Sequence, residues 1–260
     1  MHQPRPSTGG QALSALAVLL LASSCQSVFI EQRIADLDVD GEVNTEFAGS
    51  TSSNSFGAFG IQESNLSALP SITLETAPST IVLDYFSRET VGVGVLEDDL
   101  VLDGVDIGAG TTVQSEQEIT FARLRYLFDL ASSDTMDLAI GLGLAYVSLD
   151  IQVDGGFDRG EYDEAAPLPL LTAQWALRRG DWELELDASY SQFEIDDAEA
   201  DYASAMASVR WSFLESPARA ALSLGYRIED LDLMFETDED ETIDYNADID
   251  GLFLGLQFAF

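Results

Sequence analysis

Carboxylates dominate the chemistry this chain can offer. Its 47 Asp and Glu residues stand against 11 basic ones, for a formal charge of −36, and every basic residue is Arg, with no Lys anywhere. One histidine, His2, and one cysteine, Cys25, complete the reactive set. So few cations cannot form a basic face, which excludes nucleic-acid binding. A single cysteine leaves no partner for a structural disulfide. Acid–base catalysis near neutral pH draws first on His, or on a Lys of lowered pKa. Neither is on offer beyond His2. Two facing carboxylates could still work as a pair, but nothing in the spacing singles one pair out. We therefore read the chain as a non-enzyme, with no catalytic residues, no cofactor and no metal site.

The elements that must position these charges are strands. The last segment sets Leu252, Leu254, Leu256, Phe258 and Phe260 on one face and Gly251, Gly255, Gln257 and Ala259 on the other, with Phe253 the one bulky intruder. Leu138, Ile140, Leu142, Leu144 and Tyr146 alternate likewise with Ala139, Gly141, Gly143 and Ala145. Period-two alternation is the mark of strands with two unlike faces. Here the non-apolar face is rich in Gly, Ala and Ser beside isolated charges, as a cramped barrel interior requires, and the apolar face carries aromatics towards its ends. Tight turns at Ala77-Pro78-Ser79, Ser132-Ser133-Asp134, Arg179-Gly180-Asp181 and Glu215-Ser216-Pro217 alternate with longer polar loops near 46–68, 97–115, 152–164, 195–200 and 235–243. This spacing predicts an all-β, transmembrane antiparallel up-and-down barrel. Ten strands are expected, near 31–44, 70–77, 80–96, 116–130, 136–151, 166–178, 181–194, 201–214, 218–234 and 244–260, with eight as the alternative.

The start of the chain reads as an export signal. Arg5 precedes an apolar core, Ala12 to Ala22, that is too short to cross a membrane as a helix. Ala22-Ser23-Ser24 supplies small residues for cleavage, and Cys25 follows at once. This arrangement resembles a lipoprotein signal, with Ala22 where such signals usually carry Leu, and implies lipidation of Cys25. The organisation expected is signal peptide 1–24, tether 25–30 and barrel 31–260. Cleavage there would remove His2 and leave no histidine.

The terminal Leu252–Phe260 run, ending in an aromatic, resembles the C-terminal assembly signal of outer-membrane barrels, with Phe258 and Phe260 as its aromatic positions. In pattern the whole chain is similar to small barrels of the OmpA, OmpX and OmpW kind. The resemblance implies residence in the bacterial outer membrane, with membrane lipid and the barrel-assembly machinery as partners. By the alternation, Arg88, Arg123, Arg125, Arg178, Arg210 and Arg227 point into the lumen with Glu75, Asp84, Asp129, Glu183, Glu185, Asp187 and Glu229. Opposite charges in a narrow lumen can pair across it. The expected role is structural or surface-interacting, with a charge-paired, largely plugged lumen. A narrow OmpW-like channel for small solutes or ions is the alternative, because Gly141, Gly143, Gly225 and Gly255 could leave a cleft. Asp36-x-Asp38-x-Asp40-Gly41 starts like a calcium loop but places Phe47 at its twelfth position, so a strand with acids on one face is the simpler account. The acidic loops could still collect divalent cations loosely.

Overall fold

The computed structural model describes residues 27–47, 50–61, 64–102, 104–156, 158–195, 198–214, 219–236 and 241–260. Cys25, and with it the lipidation and signal-peptide expectations, lies outside them, as does the turn at Glu215–Pro217. Among the described residues there are thirteen strands: β1 (Ser27–Phe47), β2 (Ser50–Ser55), β3 (Ser64–Glu75), β4 (Ser79–Val95), β5 (Leu100–Leu102), β6 (Val105–Ile107), β7 (Thr112–Ser132), β8 (Met136–Asp154), β9 (Arg159–Arg179), β10 (Trp182–Ile195), β11 (Ala198–Leu214), β12 (Arg219–Glu236) and β13 (Glu241–Ala259). Ten of them pair antiparallel in the order β1-β3-β4-β7-β8-β9-β10-β11-β12-β13, and β13 returns to β1 to close the barrel. The closing ladder is long, from Phe29↔Ala259 to Phe47↔Glu241. The expected ten-stranded barrel is the fold.

Its strands outrun the sequence reading. β1 begins at Ser27, so most of the expected tether is already wall. β8 and β9 continue to Asp154 and from Arg159, leaving only residues 155–158 of the expected 152–164 loop. A strand of 21 residues, such as β7, is about 70 Å long at ~3.3 Å per residue, roughly twice the 9–11 residues that cross a bilayer.

The excess length carries an inversion that the alternation did not reveal. Along β8, the outward residues Ile140, Leu142, Leu144 and Tyr146 are about half exposed, and then the outward positions become Ser148, Asp150, Gln152 and Asp154. Over the same stretch the inward positions change from Ala139, Gly141 and Gly143 to Val147, Leu149, Ile151 and Val153, all buried. β12 repeats it, with Leu222, Leu224, Tyr226 and Ile228 outward before Asp230 and Asp232, and with Ser223, Arg227 and Glu229 inward before Leu231, Leu233 and Phe235. No register shift intervenes between β8 and β9, so the faces themselves trade character. The half nearer the short turns (the turn end) is therefore apolar outside and polar inside. The loop-end half is the reverse, with a single apolar core inside the wall.

Two features finish the loop end. The turn after β2 folds into the barrel, where Phe56 packs on Tyr245 with ring centroids 5.4 Å apart and Ser115 Oγ donates to the Phe59 carbonyl at 2.6 Å. The β5–β6 hairpin buries Leu100, Leu102 and Ile107, and Asn54, fully buried, ties the two loops together by accepting from the Glu97 and Asp98 amides.

Outside, the loop-end wall sets like charges directly opposite: Asp40↔Asp248, Asp248↔Asp230 and Asp201↔Asp232 on one side, Glu89↔Glu118, Glu118↔Asp150 and Asp150↔Asp163 on the other. Such pairs destabilise a sheet. Partial burial, reinforced by Asp244, Asp201 and Asp230, pushes the Asp232 carboxyl up to about 6. A carboxyl raised in the folded state favours folding as pH falls through that value, because the folded protein binds the proton more tightly than the unfolded chain. The melting temperature in detergent micelles should rise between pH 8 and pH 5, and Asp232→Asn should flatten part of that rise. The inverted core makes its own prediction. Leu149→Asp, at an inward, fully buried position, should cost about 3 kcal/mol or more in urea unfolding, whereas Gln152→Leu on the outer face should be near neutral.

Candidate functional site

At the level where the outer wall is apolar, the interior holds a belt of ion pairs. Arg125 on β7 reaches across to Asp187 on β10 at 2.5 Å and to Asp84 on β4 at 2.9 Å. Arg123, two residues along and on the same face, bonds Glu229 on β12 at 2.8 Å and the Tyr202 hydroxyl at 2.7 Å, and stands 3.9 Å from Asp84. Arg227 meets the same Glu229 oxygen at 2.5 Å, and the Tyr202 hydroxyl donates to it. Asp187, Arg125, Asp84, Arg123, Glu229 and Arg227 thus form one chain of alternating charge through the lumen.

A second chain lies nearer the turn end. Arg210 on β11 bonds Glu183 at 2.5 Å and Glu185 at 2.7 Å, both on β10, and stands 4.0 Å from Glu31 on β1. Glu31 holds Arg33 at 2.7 Å and accepts from Ser223 at 2.6 Å. Arg178 closes the series with Glu183 at 2.7 Å and Asp137 at 2.5 Å. Gln174 adds a bond to Glu185 at 2.7 Å.

Buried charges survive only when paired and hydrogen-bonded. Here a fully buried carboxylate, Glu229, sits between two guanidinium groups and a phenol. The junction with the apolar core is made by side chains with two characters. The Tyr202 ring packs on Phe121, centroids 5.9 Å apart, while its hydroxyl joins the belt. Arg227 lies over Phe86 at 5.8 Å, and Arg33 over Phe253 at 5.2 Å.

Of the residues expected in the lumen, Arg123, Arg125, Arg178, Arg210, Arg227, Asp84, Glu183, Glu185, Asp187 and Glu229 are brought together in these two chains. Arg88 points inward but stands above them, donating to the Leu37 carbonyl at 3.1 Å. Asp129 and Glu75 line the mouth at the turn end. Glu31, Arg33, Asp137 and Tyr202 were missed. All four lie inside expected strands, and Glu31-x-Arg33 is in phase with the inward Ala35 and Leu37. The glycines expected to leave a cleft are occupied instead. A Cβ at Gly225 would run into the Phe253 ring, and one at Gly255 into Ser223 Oγ, with Glu31 2.6 Å away. Asp36, Asp38 and Asp40 lie along the outer face of β1 as a plain strand, and no group of three metal-ligating side chains occurs among the described residues.

Below the belt, a vestibule of about 540 Å³ lies at the turn end, walled by Thr73, Ala139, Ala176 and Gln257 and floored by Glu31, Arg33, Asp84, Arg125 and Arg210. No family model and no curated protein matches the chain. Solved structures do. The outer membrane protease OmpT of Escherichia coli aligns over 91% of this chain and 98% of its own, at TM-score 0.56 and 11% identity. The fold is that of an outer-membrane barrel. The transport unit of the E. coli autotransporter AIDA-I aligns at TM-score 0.41 and 10% identity, over 99% of this chain and 100% of its own. Ail of Yersinia pestis aligns at TM-score 0.33 and 8% identity, over 90% and 98%.

Arg125→Ala would leave Asp84 and Asp187 buried without their shared cation. We expect a loss of about 3–5 kcal/mol in urea unfolding, several times that of Arg159→Ala, whose ion pair with Glu161 is more than half exposed.

Proposed function

We propose that this protein resides in the bacterial outer membrane as a structural or surface-interacting barrel whose lumen does not conduct. One observation carries the reading: the interior is crossed by the belt of ion pairs and, beyond it, occupied by apolar side chains from strands all around the wall and by the inturned Phe56 and Phe59. An aqueous pore would need a continuous polar path, and the loop-end half offers an apolar one. The outward apolar face of the turn-end half supports membrane residence, with Trp182 and Trp211 stacked at 6.2 Å near its margin as aromatic anchors. Phe258 and Phe260, outward on β13 and beyond its end, suit engagement by the assembly machinery. The reading includes no catalysis. Lipidation of Cys25 belongs to the same reading.

The second reading, a narrow conduit, draws on the vestibule alone. Single-channel recording of the refolded protein in planar bilayers separates the two. We expect a silent membrane, with folding shown by heat-dependent gel mobility, both for the wild type and for Arg123→Ala. Discrete openings that change with Arg123→Ala would make the conduit the correct reading.

A further inference from the structure

Two of the ten ladders stop part-way up the wall. β3 and β4 pair only from Ser71↔Asp84 to Glu75↔Thr80, and β9 and β10 only from Leu171↔Tyr190 to Arg179↔Trp182. Prolines stand at both breaks. The β1–β3 ladder runs unbroken through Pro70 while the β3–β4 ladder ends beside it, which assigns the absent N–H to the β4 side. Pro167 and Pro169 do the same for β9, whose ladder with β8 is continuous.

Free strand edges invite pairing with other chains, and proteins blunt them with prolines, charges or brevity. Three of the four edges here are blunted. β3 has Pro70, β9 has two prolines beside Glu161 and Asp163, and β10 ends at Ile195, soon after its ladder does. β4 is not. From Glu89 to Val95 it contains no proline, pairs along its whole length with β7, and makes no backbone hydrogen bond to a described residue on its other side.

The outward side chains on that edge are also exceptional. Val91, Val93 and Val95 are 54%, 69% and 51% exposed, and Leu66 across the gap is 71% exposed. Register puts Val91 level with Glu116 and Gln152, six residues beyond Tyr146, where the outer face of β8 turns polar. That is about 20 Å further along the strand, in the water-facing half of the wall. The neighbouring outward positions at this level are Gln114, Glu116, Gln152 and Asp154. The edge is also held in place from within, since the turn at Ala58–Gly60 packs so closely on Gly92 and Gly94 that a Cβ at either would strike its carbonyls.

We propose that the free edge of β4 receives an extended segment of another protein as an added strand. Its alternate residues would be apolar opposite Val91, Val93 and Val95, and basic opposite Glu89. The main chain supplies the hydrogen bonds and the valines the register. The basic residue is called for by Glu89, which already faces Glu118 directly across the ladder.

The test is fluorescence anisotropy of a labelled peptide of alternating Val and Thr with Lys at one end, titrated with the full-length protein in detergent micelles. We expect saturable binding, weakened about tenfold or more by the surface pair Val91→Asp with Val93→Asp, and to a similar degree by N-methylating alternate amides of the peptide. Heat-dependent gel mobility establishes that the variant is folded. Absence of binding overturns the proposal. So does binding that survives both changes, which would mark non-specific attraction to an acidic surface. Light scattering adds a third arm: a peptide-free dimer that dissociates in the double variant would overturn it in favour of a second copy of this chain.

Discussion

In the proposed membrane setting, a strand in this wall meets two solvents in succession on its outer side, and the rest of the structure follows from that. Where lipid lies outside, apolar side chains must point out, and the interior is left to Gly, Ser and charged groups. Where water lies outside, the pressure reverses, and the inner face becomes the only place to bury Leu, Val and Phe. Because strand geometry fixes a period of two, the chain satisfies both demands simply by exchanging the residue types assigned to the two faces. Val147 on β8 and Leu231 on β12 mark the exchange.

The ion-paired belt is the interior consequence of the first demand. A narrow lumen surrounded by lipid-facing wall cannot hydrate isolated charges, so each carboxylate needs a cation with several directed donors. Arginine is suited to this, because its planar fork can reach two carboxylates at once, as Arg125 does with Asp84 and Asp187 and Arg210 with Glu183 and Glu185. The absence of lysine from a chain with 11 arginines fits that use. The aromatic residues above the belt let the polar layer pass into the apolar one without a gap. Tyr202 belongs to both.

The barrel, its strand count and most of the belt were legible from alternation alone, because a face that changes every second residue leaves its mark on each segment separately. Ten of the expected lumen residues sit in the two charge chains. What alternation could not convey was polarity of direction. Val147, Leu149, Ile151 and Val153 alternate as cleanly as Ile140, Leu142 and Leu144, and nothing local says that one set faces in and the other out. The same ambiguity hid the last three residues of β8 and the first seven of β9, where acidic outward residues such as Asp154 and Glu161 read as loop. Cross-strand geometry was invisible for another reason. The filling of Gly225 by Phe253 depends on register between strands, which no single segment encodes.

The ladder that closes the wall joins the first strand to the last, and Asn44 bonds Asp244 from 200 positions away. Closing so large a loop carries an entropic cost of about 5 kcal/mol, recovered only when the paired segments are both present and aligned. Every other neighbour in the wall can form as soon as its hairpin exists. Maturation is therefore ordered in time: the sheet can grow strand by strand, but the cylinder is a final event, and until β13 arrives β1 remains an exposed edge in need of a temporary partner.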